Sequence, residues 1–264
     1  MDNNENVHLE ITDHVATVTL DRPEKKNACT MDMWIAIRDA FRDIAMSSAR
    51  VVILTGAGGE FCAGADIGGS LGGSSGGGFE RGGFAGMRDL ATVVTAVHDC
   101  PIPVVAKVDG VAIGAGFGLA LAADLLWCSD RARFSLAFAR LGLSLDFGTS
   151  WVLQRRIGLH EAKRIAFTGE IITAPRAMEL GFVNEVVTVG ELDAAVDAIA
   201  AQIAKGPPLA LSMTKRMLDN SVNSSLVQSL EAETVAQSVN LGTTDLPEAL
   251  QAFAEKRPPV FHGR

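Results

Sequence analysis

The stretch DGVAIGAGFGLALAAD, residues 109–124, decides how the rest of the chain is read. An apolar strand over Pro103 to Val108 runs into it, a turn of small residues follows at Gly114, Ala115 and Gly116, and the Leu/Ala run beyond favours helix. A strand that enters a helix through Gly and Ala leaves backbone N–H groups with no side chain in front of them. The positive end of the helix dipole points the same way. Such a turn suits a phosphate, a carboxylate or a developing oxyanion. It also suits close packing alone, so a second element is needed.

Residues 51–67 supply one. VVILT (51–55) is a continuous apolar run, the pattern of a buried central strand. Gly56 to Gly59 makes a turn, and FCAGADI (61–67) again leaves backbone donors bare at Ala63, Gly64 and Ala65. Two separated donors converging on one point are what a thioester oxyanion requires.

Composition narrows the classes. The chain has 264 residues, 48% of them apolar and 20% charged, which fits one globular core near the upper size of a domain. Its net charge of −8, from 23 basic and 31 acidic residues, argues against a nucleic-acid or anionic-membrane partner. Cys29, Cys62, Cys100 and Cys128 form no CxxC pair, and no His/Cys/Asp cluster has ligand spacing, so free thiols and no metal are expected. The start, MDNNENVHLEITDH, is polar and acidic, unlike a targeting peptide. No apolar run reaches the ~20 residues of a membrane span. The expectation is a soluble cytoplasmic protein.

Taken in order, Val7 to Thr12 and Val15 to Leu20 read as strands joined at Asp13-His14. DRPEKKNACT follows, with Arg22, Lys25 and Lys26 as either a solvated loop or a polyphosphate contact. Thr30 is a candidate N-cap for a helix whose Trp34, Ile37, Phe41 and Ile44 form a core face. Gly68 to Gly86 reads as a Gly-rich connector or a mobile pocket wall, with helix resuming at Met87. Leu125 to Ser129 reads as strand, Phe134 to Leu141 is short and apolar, and Asp146 lies in a loop before a helix over Ser150 to Ile157. Asp146 is either that helix's N-cap or, between Leu145 and Phe147, a carboxylate whose apolar surroundings make it a better base. Beyond it the pattern is helical, with loops at Thr173-Ala174-Pro175 and Gly206-Pro207-Pro208. Alternating strands and helices followed by helices imply an α/β unit, residues 1–200, and a C-terminal helical region, 201–264.

The ordered segments DRPEKKNA (21–28), TGAGGEFCAGADI (55–67), VDGVAIGAGFGLALAAD (108–124), ARLGLSLDFGTSW (139–151) and FAEKRP (253–258) together resemble the crotonase superfamily, the enoyl-CoA hydratase/isomerase family. The resemblance spans nearly the whole chain. It implies a spiral of ββα units, a C-terminal helical region used in trimerisation, and a homotrimer or hexamer. It also implies an acyl-CoA thioester substrate, with coenzyme A part of that substrate and no separate cofactor. The thioester oxygen would sit between the N–H groups of Ala65 and Ala115. Lys25, Ala28, Ala63, Asp66, Ile67, Gly116, Phe138, Phe253 and Lys256 would line the substrate site.

The departures from the family pattern set the chemistry. Hydratases of this family use two glutamates, and matching their motifs puts Gly118 and Phe138 at those positions. Neither moves a proton. Asp146 remains, and it resembles the aspartate of isomerase members in the same AFxxLGLxxD context, residues 137–146. Double-bond isomerisation by a 1,3 proton shift follows as the expected activity, with Asp146 as base. Hydration and non-catalytic binding of a CoA thioester are the alternatives. A dinucleotide site is disfavoured, since the third glycine of Gly114-Ala115-Gly116-Phe117-Gly118 falls one residue early for GxGxxG.

Overall fold

The computed structural model describes residues 5–66 and 82–264. The chain opens with an antiparallel hairpin, β1 (Val7–Thr12) and β2 (Val15–Leu20). Asp13 and His14 both take positive φ at its turn, the primed geometry that matches strand twist. Helix α1 (Met31–Ala45) follows, and the Thr30 side chain accepts from the Met33 N–H as expected of an N-cap. Then come β3 (Val51–Gly56), α2 (Gly82–His98), β4 (Val104–Val108) and β5 (Val111–Ile113). Next are α3 (Ala115–Leu121), β6 (Leu125–Ser129), β7 (Arg133–Ser135), a 3-10 turn over Ala137–Leu141, and α4 (Thr149–Ile157). The chain continues through α5 (Leu159–Thr168), β8 (Ile172–Thr173), α6 (Ala174–Leu180) and β9 (Glu185–Val187). Four helices finish it, α7 (Leu192–Ala204), α8 (Pro208–Ser221), α9 (Leu226–Leu241) and α10 (Asp245–Glu255).

A six-stranded sheet runs in the order β1-β2-β3-β4-β6-β9, parallel from β2 onward. A second sheet joins β5, β7 and β8. Strand β3 is buried on both faces, as its unbroken apolar run demands. Val52 and Leu54 face the main core, with Phe41, Phe61 and Phe117. Val51 and Ile53 face a smaller core closed by Leu192, Val196, Ala200 and Ala204 of α7. The result is an α/β fold of repeated ββα units with a C-terminal helical bundle, as the resemblance implied.

Three local expectations change, and one strand is added. Helix α2 begins at Gly82, so Gly82 to Gly86 belongs to a helix and not to the Gly-rich connector. Residues 68–81 of that connector lie outside the described residues. The loop expected at Thr173-Ala174-Pro175 is instead the end of β8 and the first turn of α6, where proline's missing N–H costs nothing. The last third is not wholly helical, since β9 extends the main sheet beside β6. The strand expected over Pro103 to Val108 is β4, in the main sheet, and a further short strand, β5, follows it and pairs in the small sheet.

Candidate active site

Loop 21–29 is welded to the segment after β3. Asn27 is fully buried with φ 55°, and its amide donates to the carbonyls of Ala57 (2.9 Å) and Glu60 (2.6 Å) while accepting from the Arg22 N–H (2.8 Å). The Ala63 N–H reaches the Lys26 carbonyl, Cys29 N–H the Gly64 carbonyl, and Asp66 N–H the Cys29 carbonyl. Between these engaged groups, the Ala65 N–H has no acceptor among the described residues.

The central turn locks onto the same segment. The Cys62 N–H donates to the Val111 carbonyl, and the Cys62 carbonyl accepts from the Ile113 N–H. A Cβ placed on Gly64 would lie 2.7 Å from the Ile113 carbonyl oxygen and 3.6 Å from the Ala115 nitrogen, so Ala63 to Ala65 runs directly beside the start of α3. Gly64 (φ 96°) permits this approach. A Cβ on Gly116 would collide with the Cys62 carbonyl, so that position too admits only glycine. Ala115 is the first residue of α3, buried, and its N–H likewise has no acceptor among the described residues.

Asp146 sits on the loop between the 3-10 turn and α4. Phe138, on that turn, is buried, with its ring 3.8 Å from where a Gly114 side chain would begin. The Asp146 backbone carbonyl accepts from the Thr149 hydroxyl (2.7 Å) and N–H (3.1 Å). The N-cap reading of Asp146 fails, because Gly148 occupies the cap and no side chain caps the helix. Asp146 Oδ1 is instead buried without a hydrogen-bond partner among the described residues. Desolvation alone pushes the carboxyl up to about 6.

Gly118 and Phe138 offer no proton. A Cβ on Gly118 would lie 2.6 Å from the Phe147 Cβ and 3.1 Å from Thr149 Cγ2, so the space before it is filled by the Asp146 loop.

The basic residues divide. Arg22 is spent on Asp66 (2.7 Å) and the Ala28 carbonyl, and Lys26 on Glu60 (3.2 Å). The polyphosphate reading of that cluster is therefore carried by Lys25, which is exposed and has no ion pair among the described residues. The Asp66 carboxylate holds Arg22 in place. Ile67 lies outside the described residues. Phe253 is 86% exposed and Lys256 caps α10 in a left-handed conformation. Neither has a hydrogen bond or ion pair to the loops around Ala65 or Asp146 among the described residues. The neighbouring Arg257 is bound by Glu248 and Glu255. Sequence reading missed the fastening roles of Asn27 and of Glu60, which accepts from the Val111 N–H at 2.7 Å. The buried asparagine in a Pro-initiated turn was the available signal. A cavity of about 480 Å³ lies between α4 and α8, lined by His98, Asp124, Trp151, Arg156 and Lys215, and none of Ala65, Ala115 or Asp146 lines it. No group of side chains that could hold a metal ion occurs among the described residues.

Known proteins resemble the chain along nearly its whole length. The enoyl-CoA hydratase/isomerase family model matches residues 10–264. A protein of Rhodobacter capsulatus named "Probable enoyl-CoA hydratase" is 36% identical over 266 residues, covering 98% of each chain. The 1,2-epoxyphenylacetyl-CoA isomerase of Escherichia coli is 32% identical over 251 residues, covering 95% of each. The crystal structure of an enoyl-CoA hydratase from Bacillus anthracis superposes with a TM-score of 0.92 at 32% identity, covering 98% of this chain and 100% of that one. The chain belongs to the enoyl-CoA hydratase/isomerase family, and its chemistry is acyl-CoA processing of that general type.

Proposed function

We propose that the protein shifts the double bond of an enoyl-CoA thioester, with Asp146 moving the proton. The observation that carries the reading is the Asp146 carboxylate, buried at Oδ1 without a partner among the described residues and raised to about 6 by desolvation. A structural carboxylate in that position would have found donors. A base that titrates near the working pH is well matched to abstracting a proton beside a thioester carbonyl.

In this mechanism the thioester oxygen accepts from Ala65 and Ala115. Asp146 takes a proton from the carbon beside the carbonyl, and the electron pair delocalises onto that oxygen as an enolate. The carboxylic acid so formed returns the proton two carbons further along as the enolate collapses, and the double bond moves next to the carbonyl. One residue gives and takes the same proton, so no second acid is needed. Hydration would need a group to hold and activate water. The apolar Phe138 and the occupied space before Gly118 provide none.

The substrate's phosphates would meet Lys25 from one chain and Lys256 across a subunit boundary, with Phe253 offering an apolar contact to the same substrate. Helices α8 and α9 bury almost no side chains within the chain, and Leu226 (75%) and Val227 (76%) stand exposed. Such unpartnered apolar faces support a trimer or hexamer. Sedimentation at micromolar concentration should show no stable monomer, and a monomer would end that reading.

Conversion of a 3-enoyl-CoA to the 2-enoyl-CoA tests the proposal. Asp146→Asn should lower kcat by about 10²-fold or more and keep KM within a few-fold. Near-normal turnover in that variant would remove Asp146 from the mechanism. Thioester binding with no turnover in the native protein would leave only a binding role.

A further inference from the structure

We propose that Phe147 is the positioning residue of the Asp146 carboxylate, wedged between Trp34 and the bare backbone of Gly118. The inference rests on the reading of Asp146 as the base. An acid–base carboxylate is ordinarily aimed by a hydrogen bond, and the buried Oδ1 of Asp146 accepts none among the described residues. Its aim must come from the backbone that carries it.

That backbone is held in an unusual way. Phe147 has φ 50°, a left-handed conformation that a bulky residue enters only under constraint. Gly148 follows with φ 72°, and the Thr149 hydroxyl and N–H then close back on the Asp146 carbonyl. The constraint on Phe147 is visible on both sides. Its ring packs on Trp34, a 98%-buried residue of α1, with centroids 4.5 Å apart and planes at 50°. Its Cβ and carbonyl oxygen lie 2.6 and 2.9 Å from where any side chain on Gly118 would begin. The loop thus fits because α3 has no side chain at 118. The missing glutamate and the new base are one arrangement, since the space given up by the first seats the residue that aims the second. No charged side chain contributes to the raised titration of Asp146, and Arg140, the nearest cation in sequence, packs against Gly169.

Two readouts separate this inference from the catalytic reading. The first is the carboxyl titration of Asp146 followed by carbon NMR, which needs no turnover. The second is the pH dependence of isomerisation, with kcat and KM determined separately at each pH on a 3-enoyl-CoA substrate. Phe147→Gly keeps the left-handed backbone available and removes the wedge. The Asp146 midpoint should fall from about 6 by a pH unit or more as the loop opens to water, and the acid limb of kcat should follow it. At the pH optimum kcat should drop about tenfold or more, with KM within threefold. Phe147→Leu, which keeps apolar bulk on Trp34, should hold the midpoint near its native value. If Phe147→Gly does not fold, Trp34→Leu withdraws the same support from the opposite side and is read identically. An unmoved midpoint together with kcat within twofold in Phe147→Gly or, failing that, in Trp34→Leu overturns the positioning role. If Asp146→Asn retains turnover while the midpoint still moves, the loop architecture stands, the catalytic reading fails, and Phe147 positions no base.

Discussion

The two sides of the candidate site are built by opposite means. Around Ala65 and Ala115, nearly every neighbouring backbone group is engaged, from Cys29 and Cys62 to Ile113, Gly114 and Asp66. Among these engaged groups the N–H of Ala65 and that of Ala115, at the open first turn of α3, have no acceptor among the described residues. Around Asp146 the organisation is apolar, with Phe138, Phe147 and Trp34 buried and one carboxylate oxygen unpaired among the described residues. The first side is fixed by directional bonds and is insensitive to side-chain identity, provided the side chain is small. The second is fixed by shape and depends on side chains throughout. One side can therefore be broken only through the backbone, and the other only through packing or charge.

The largest effect should come from the backbone side. Ala115→Pro deletes one N–H where helix geometry accepts proline, after a Gly114 whose φ of 54° and ψ of −122° mirror an extended conformation. Turnover should fall by about 10²–10³, roughly 3–4 kcal/mol of transition-state stabilisation, with the melting temperature little changed. Ala115→Gly keeps the donor and should turn over within about twofold of native. A folded proline variant with native turnover would place the thioester oxygen elsewhere.

The next effect belongs to the packing side and is a gain. The folded-state carboxyl of Asp146 titrates near 6, above its ordinary value of 3.8. Between those values the folded chain binds the proton and the unfolded chain releases it. The group's contribution is thus fully present below pH 4 and lost as pH rises through 6. At pH 7.5 Asp146→Asn should be the more stable protein, by about 1–2 kcal/mol once solvent screening of the half-buried carboxyl is allowed for, and the gain should vanish near pH 4. Denaturant titration at both pH values measures it. A variant equally stable at both would mean that the carboxylate is well solvated.

The smallest of the three tests the seam within the backbone side, where α3 meets the segment after β3. Gly116→Ala drives a methyl into the Cys62 carbonyl, and the cost should be about 1–3 kcal/mol in chemical denaturation. No loss would show that this strand and helix can separate without penalty.

Much of the backbone side is legible in the sequence, because its signals are local. The Gly/Ala runs at 63–65 and 114–116 leave backbone bare within their own segments and Thr30 caps its own helix, whereas the partners that Gly64 and Gly116 make room for, Ile113 and Cys62, lie in the other segment and are not local. The apolar run of β3 announces burial on both faces. The packing side is written non-locally. Trp34, Gly118 and Phe147 come from three distant segments, and nothing in any one of them shows that the three meet. An aspartate before a helix serves equally as cap or base, and only the left-handed Gly148 at the cap sets the first reading aside. Short strands such as β8 and β9 escape for another reason. At such lengths no periodicity develops, and their pairing is set by the sheet they join. The Gly pair at the start of α2 has poor helix propensity, which tertiary context overrides.

The left-over N–H groups of Ala65 and Ala115 also have a kinetic signature in hydrogen exchange. The amides of Cys62, Asp66, Ile113 and Gly114 are bonded into the structure and exchange only when it opens. Those of Ala65 and Ala115 have no such protection from the described residues, so Ala65 is a fast amide next to the bonded Asp66, and Ala115 is one that directly follows the bonded Gly114. Whatever oxygen comes to rest between them will slow both together and leave their neighbours unchanged. The pair is thus an internal reporter of occupancy, readable without any reaction taking place.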